Sequence, residues 1–240
     1  MILGATLLSD RKLYSIPIGL KALIDAPEVE SLYVNVETDV PALYANVEMM
    51  LAQSGKSYAI DYWSIHQSNR DWRPAYDQDP KRLQGICTGR NMALEYALFP
   101  GFSHLLFIDS DVYPHPGSIQ KVIDVRKSIA GGLVPGRGAH SGVFYLFGER
   151  ERVGSVSRCA HGTCGFMLIA RSVYEVLRFR TGPHPVTRGT WLSEDPCYAA
   201  DAEFMKLSDG WWIDREAVAD HIDNPLHPLT EDEAINDYFT

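Results

Sequence analysis

The chain has 240 residues, 45% hydrophobic and 22% charged, which is ordinary for a soluble globular enzyme and long enough to bury one full core. Its formal net charge of -9 argues against broad, non-specific binding to nucleic acid or anionic membrane, while a local basic groove stays compatible with it. Four cysteines, Cys87, Cys159, Cys164 and Cys197, make no dense disulfide framework, no apolar run approaches a bilayer span, and the start Met1-Ile2-Leu3-Gly4-Ala5-Thr6 lacks the pattern of a signal peptide. A reduced, cytoplasmic protein is therefore expected.

In chain order, Met1 to Leu8 reads as a short strand, Ile16 to Leu23 as a helix stopped near Pro27, and Ser31 to Glu37 as a second strand rich in β-formers. Pro41 opens a helix with Leu43, Val47, Met50 and Leu51 on one face and Gly55 as its stop. Ser57 to Ile65 is a third strand, and Gln67 to Pro80 a long polar loop. Asp79-Pro80 is a helix start, a capping residue followed by proline at the first position. Leu83, Ile86, Cys87, Leu94, Ala97 and Leu98 give that helix an apolar face before Pro100-Gly101 ends it. The apolar run Leu105-Leu106-Phe107-Ile108 is then a buried strand, followed by Asp109-Ser110-Asp111 and a turn at Val112-Tyr113-Pro114.

This β-α-β-α-β alternation predicts a mostly parallel sheet flanked by helices. The second half is less regular. Ser118 to Val125 reads as a helix and Ile129 to Val134 as a strand, with Gly131-Gly132 and Gly136 to Gly142 read as loop flexibility. Val143 to Phe147 and Gly165 to Ala170 read as strands, Ser172 to Leu177 and Pro196 to Leu207 as helices, and Trp211 to Ile213 as a short strand. An acidic tail starts at Glu231. The chain is taken as one domain, with a nucleotide-sugar-binding half over about 1–125, an acceptor half over about 126–225, and a tail over 226–240.

Two carboxylates, Asp109 and Asp111, at the carboxyl end of a buried strand are hard to explain as packing, because unpaired buried charge is expensive. Ligands of open α/β sheets bind at that edge, and a carboxylate pair there can hold a divalent cation that in turn holds a diphosphate. By itself an Asp-Ser-Asp triplet also caps a strand. Glu194-Asp195 precedes a helix, where acidic residues favour the macrodipole, and a partly buried carboxylate there could also serve as a general base. His221, in Asp220-His221-Ile222-Asp223, could complete a metal site made otherwise of carboxylate, water and phosphate, although a lone histidine is more often structural. Arg90 could reach a phosphate or sugar hydroxyl, or pair with a nearby acid. Cys159, His161 and Cys164 offer three zinc-type ligands within six residues but no fourth, so a turn and a strand start are the expected reading.

Taken together, Thr88-Gly89-Arg90-Asn91-Met92-Ala93-Leu94, His104 to Val112 with Pro116, Ala130-Gly131-Gly132-Leu133-Val134, Gly162 to Ile169, Ser193-Glu194-Asp195 and Asp220-His221 resemble, in order and rough spacing, the GT-A class of nucleotide-sugar glycosyltransferases, family-2-like inverting enzymes above all. The resemblance covers about residues 1 to 225. It implies a GT-A, Rossmann-like α/β fold, a Mn²⁺ or Mg²⁺ ion and a nucleoside-diphosphate sugar as donor. Asp111 and His221 would be metal ligands, with Asp109 on metal or ribose. Asp195 would be the catalytic base, with Glu194 as fallback. Arg90, Asp109 and Ser110 would face the nucleotide sugar, Thr6 and Glu37 to Asp39 the nucleoside, and Gly162 to Phe166 the acceptor side. The family's Q-x-x-R-W element is absent, which speaks against a processive polymerase. The partners implied are a nucleotide sugar and a hydroxyl acceptor, such as a glycan, protein or small molecule. A nucleic-acid acceptor, met by Arg70, Arg73, Lys81 and Arg82, is the less favoured option. Alternatives are a sugar-phosphate nucleotidyltransferase, for which Ser9-Asp10-Arg11-Lys12 is a poor phosphate loop, and a non-catalytic nucleotide- or glycan-binding module.

Overall fold

The computed structural model describes residues 1–9, 15–37, 41–63, 80–99, 101–135, 147–180 and 194–222. The first half runs β1 (Ile2–Ser9), α1 (Ile16–Asp25), β2 (Ser31–Glu37), α2 (Pro41–Gln53), β3 (Ser57–Trp63), α3 (Pro80–Ala97), β4 (His104–Ile108). The second continues β5 (Val112–Pro114), α4 (Ser118–Asp124), β6 (Ile129–Leu133), β7 (Phe147–Val153), β8 (Val156–His161), β9 (Phe166–Ala170), α5 (Arg171–Tyr174), α6 (Glu194–Phe204), β10 (Trp211–His221).

All the described strands share one sheet in the order β3-β2-β1-β4-β9-β6-β10-β8-β7, with β5 added on β10. Through β3-β2-β1-β4 every neighbour is parallel. β2, β1 and β4 bury both faces, as parallel strands under crossover helices do, while β3 at the edge is half-buried to exposed. On β1 and β4, Leu3, Ala5, Leu105 and Phe107 enter a core shared with α3, α5 and α6, while Leu8, Leu106 and Ile108 enter the opposite core with α1, α2 and α4. The result is an α/β sandwich of helix, sheet and helix, as the alternation predicts.

Beyond β4 the sheet is mixed. β9 runs antiparallel to both β4 and β6, and β10 is parallel to β6 but antiparallel to β8. Gly131 and Gly132 correct the expectation of loop flexibility: both lie inside β6, among buried residues. A Cβ on Gly132 would come within 2.4 Å of both the Ala217 carbonyl oxygen and the Phe166 ring, so close packing is what excludes a side chain.

β10 is much longer than the three residues expected. Its pairing with β6 shifts between Asp214 and Val218, where the Asp214 carboxylate accepts a hydrogen bond from the Glu216 N–H at 2.9 Å. This irregularity bends the strand off β6 so that Ala219–His221 can pair antiparallel with Val112–Pro114. The segment expected as a turn is therefore a short strand. The stretches 64–79, 136–146, 181–193 and 223–240, which hold the polar loop, the Gly136 to Gly142 loop and the acidic tail, lie outside the described residues.

Candidate functional site

The order β2-β1-β4 changes direction between β1 and β4, and open α/β sheets bind ligands at the carboxyl edge of such a point. Asp109-Ser110-Asp111 leaves β4 there. Its backbone is held from three sides. The Asp109 N–H donates to the Gly165 carbonyl at 3.0 Å, the Val112 N–H donates to the Asp109 carbonyl at 3.0 Å, and the Ile222 N–H donates to the Asp111 carbonyl at 2.8 Å. α1 closes the fourth side at Gly19, where a Cβ would lie 2.3 Å from the Ser110 carbonyl oxygen. Ser110 itself is buried.

The two acids have different surroundings. Asp109 is partly exposed and receives the buried guanidinium of Arg90, Nη2 to Oδ1 at 3.3 Å. That guanidinium also lies over the rings of Phe107 and Phe179, 6.0 and 5.5 Å from their centroids. Of the two roles expected for Arg90, the geometry displays the pairing with an acid. The carboxylate of Asp111 is fully buried and faces His221, whose Nε2 is 3.5 Å from its Oδ2. His221 Nδ1 lies 3.0 Å from the Pro135 carbonyl oxygen. A carbonyl can only accept, so Nδ1 carries the proton of that bond, and Nε2 is the nitrogen turned to Asp111. In the neutral ring two acceptors thus face each other, an arrangement that a proton or a metal cation between them resolves.

Whether these residues fit a metal ion follows from the donor set. One carboxylate and one imidazole with its far nitrogen fixed by a carbonyl are the makings of an oriented ligand pair. Among the described residues no group of three His, Cys, Asp or Glu side chains forms a complete metal cage. Mn²⁺ and Mg²⁺ are commonly bound by one or two protein groups, with substrate phosphates supplying the rest, and the pair fits that pattern.

The other expected residues are spread along the same edge. Ala5 pairs with Phe107, so Thr6 sits level with Ile108; it is buried, and its hydroxyl has no hydrogen-bond partner among the described residues. Glu37 ends β2 between Ser9 and Trp63, and Asp39 lies outside the described residues. Glu194 and Asp195 are the first two residues of α6, and their side chains lie outside the described set. Gly162 to Phe166 lead into β9, which brings this turn against Asp109. Cys159 and His161 lie on β8, and Cys164 precedes β9; all four cysteines are buried.

Sequence reasoning missed Pro135, Phe179 and Tyr198. The Pro135 carbonyl is backbone and carries no residue-type signal. Phe179 and Tyr198 looked like ordinary core residues, yet Phe179 stacks against Tyr198 at 4.2 Å and packs edge-on to Phe107. Asn91, next to Arg90, clamps the Phe179 backbone: its Oδ1 accepts from the Phe179 N–H at 2.7 Å and its Nδ2 donates to the Phe179 carbonyl at 2.9 Å.

No family model matches the chain, and no curated protein matches it in sequence. Similarity is found in solved structures. Residues 1–349 of S. aureus TarS superpose with a TM-score of 0.58 at 13% identity, over 92% of this chain and 60% of that one. UDP-glucose pyrophosphorylase complexed with UDP-glucose superposes with a TM-score of 0.55 at 10% identity, over 90% of each chain. A mycobacterial protein gives 0.53 at 14% identity, over 95% of this chain and 69% of that one. At such identities the likeness is one of fold, and the chain has a GT-A-like α/β fold.

Proposed function

We propose that this chain is a metal-dependent glycosyltransferase that moves a sugar from a nucleoside-diphosphate sugar to an acceptor hydroxyl, with inversion at the anomeric carbon. The observation that carries the reading is the Asp111–His221 pair, 3.5 Å apart at the switch point of the sheet, with the far nitrogen of His221 committed to Pro135. Asp111 and His221 would hold Mn²⁺ or Mg²⁺, which supplies neutralisation of the charge that grows on the departing diphosphate. Asp109, held by Arg90, orients the ribose or a water in that shell. Thr6 and Glu37 would line the nucleoside side, Asp39 is assigned there by the sequence resemblance alone, and Ser110 is the buried centre of the triplet. Asp195, with Glu194 beside it, takes the proton of the acceptor hydroxyl. The acceptor lies on the Gly162 to Phe166 side. No helix among the described residues is long and apolar enough to cross a membrane. The acceptor hydroxyl belongs to a glycan, a protein or a small molecule, with a modified nucleic-acid base less favoured.

A second reading, sugar-phosphate nucleotidyl transfer, is favoured by one observation: the match to UDP-glucose pyrophosphorylase spans 90% of each chain, whereas TarS 1–349 is matched over 60% of its own. Both chemistries use a nucleotide and a divalent ion. A thermal-shift panel of nucleoside mono-, di- and triphosphates, with and without Mn²⁺, tests the shared part. Stabilisation by one diphosphate only with metal, lost in Asp111→Ala with folding intact, is expected. No metal-dependent shift with any nucleotide overturns both readings. Release of nucleoside diphosphate from a nucleotide sugar then supports glycosyl transfer, and release of pyrophosphate from a nucleoside triphosphate plus a sugar 1-phosphate supports the second reading.

A further inference from the structure

Three consecutive residues after α5, Arg178, Phe179 and Arg180, each reach a different neighbour, and together they tie α3 to α6. Arg178 lies against α3, its Nε donating to Glu95 Oε1 at 2.8 Å and its Nη1 to the Tyr174 and Leu177 carbonyls at 2.9 Å each. Phe179 has its backbone clamped by Asn91 of α3, the residue next to the Arg90 that meets Asp109. Its ring is buried between the Arg90 guanidinium, the Phe107 ring of β4 and the Tyr198 ring of α6. Arg180 forks onto Asp201 of α6, Nε to Oδ2 at 2.6 Å and Nη2 to Oδ1 at 2.7 Å. A forked guanidinium–carboxylate pair fixes orientation as well as distance. Tyr198 and Asp201 follow Asp195 along the same helix by about one and two turns.

We propose that Arg178-Phe179-Arg180 is a bracket that sets the spacing between the donor-side pair Arg90–Asp109 and the helix that begins with Glu194-Asp195, and that Phe179 and Arg180 are positioning residues for the transfer step. The inference rests on the assignment of Asp195 as base. Neither residue needs to touch substrate. A small displacement of α6 relative to β4 changes the approach of the acceptor to the anomeric carbon while leaving the nucleotide site on β1, β4 and α3 as it was. The bracket therefore acts on kcat rather than on donor binding.

The test is a charge swap. Arg180→Asp and Asp201→Arg singly should each lower kcat about tenfold while holding the donor KM within about twofold. The double variant should regain most of the lost kcat. Phe179→Leu should lower kcat in the same way. Hydrogen exchange gives a readout independent of turnover: the amides of α6 from Tyr198 to Phe204, which carry intrahelical hydrogen bonds, should exchange faster in each single variant, return to the parent rate in the double, and leave α3 unchanged. Unchanged exchange over Tyr198 to Phe204 overturns the bracket, and so does a swap that restores stability without restoring kcat. Failure of the function is a separate outcome. If the parent protein releases no nucleoside diphosphate, or Asp195→Asn keeps full kcat, the transferase assignment falls while the exchange data still decide the bracket.

Discussion

The two halves of the sheet are built on different rules. β3, β2, β1 and β4 are parallel and joined by helices, the inner three are buried on both faces, and the register is uninterrupted. β9, β6, β10, β8 and β7 are mixed in direction, irregular in register, and end in a hairpin whose outer strand is exposed and charged at Glu149, Arg150, Glu151 and Arg152. The regular half is a platform that brings Asp109 and Asp111 to the switch point. The irregular half returns to that platform: β10 bends to deliver His221 to Asp111, and Phe179 seats the arginine that holds Asp109. The candidate site belongs to neither half alone, and irregularity is what lets the second half reach the first.

If the platform binds the donor and the second half supplies the base, two substitutions separate the roles. Asp195→Asn should cut kcat by about 10²–10⁴-fold and keep the metal-dependent thermal shift with nucleoside diphosphate. Asp111→Ala should remove both. A thermal-shift titration beside steady-state kinetics reads the difference. Loss of the shift in Asp195→Asn would mean that α6 takes part in donor binding and would break the division between the halves.

The next effect in size is mechanical. Gly19→Ala places a Cβ 2.3 Å from the Ser110 carbonyl oxygen, in the platform, and Gly132→Ala places one 2.4 Å from the Ala217 carbonyl oxygen, in the irregular half. In each case backbone must move, so each should destabilise the fold by about 1–3 kcal/mol in urea titration. They should differ at the site. Gly19→Ala pushes on the triplet itself and should weaken nucleotide binding. Gly132→Ala pushes on β10 near its bend and should weaken the metal dependence through His221. Equal effects on both readouts would show that the halves are not mechanically distinct.

The same contrast decides how much was legible in the sequence. The platform was readable because local patterns and tertiary roles agree: apolar runs become central strands, Pro41 and Pro80 open α2 and α3, and Asp109-Ser110-Asp111 follows an unbroken apolar strand. β10 was cut short at Ile213 because Asp214, Arg215 and Glu216 interrupt its apolar pattern, and they do so where the strand bends. β7 was missed over most of its length because an edge strand facing water on both sides has no apolar alternation to find. The pairing of β5 with β10 joins residues about a hundred positions apart, so no local signal could announce it. Arg90, Asp111 and His221 could be named from residue type and order. That the acid met by Arg90 would be Asp109 could not, because α3 and the turn after β4 meet only in the folded chain.

The smallest effect probes packing in the irregular half without touching the site. Cys159 on β8 is fully buried, and burial, with the nearby Glu149 carboxylate adding to it, pushes its thiol from 9.0 up to about 11. The folded state thus holds the thiol protonated where the unfolded chain would ionise it. The stability this group contributes is fully present below pH 9.0 and is lost as pH rises through about 11. Tyrosines buried elsewhere, Tyr33, Tyr174 and Tyr198, are shifted upward too and lose stability in the same direction. Cys159→Ala isolates the thiol: between pH 9 and pH 11 its melting temperature should fall less steeply than the parent's, and below pH 9 the two curves should run parallel. Parallel curves across the whole range would mean that β8 opens to solvent in the folded state, and the bend of β10, which pairs with β8 through Trp211 to Asp214, would then lose one of its supports.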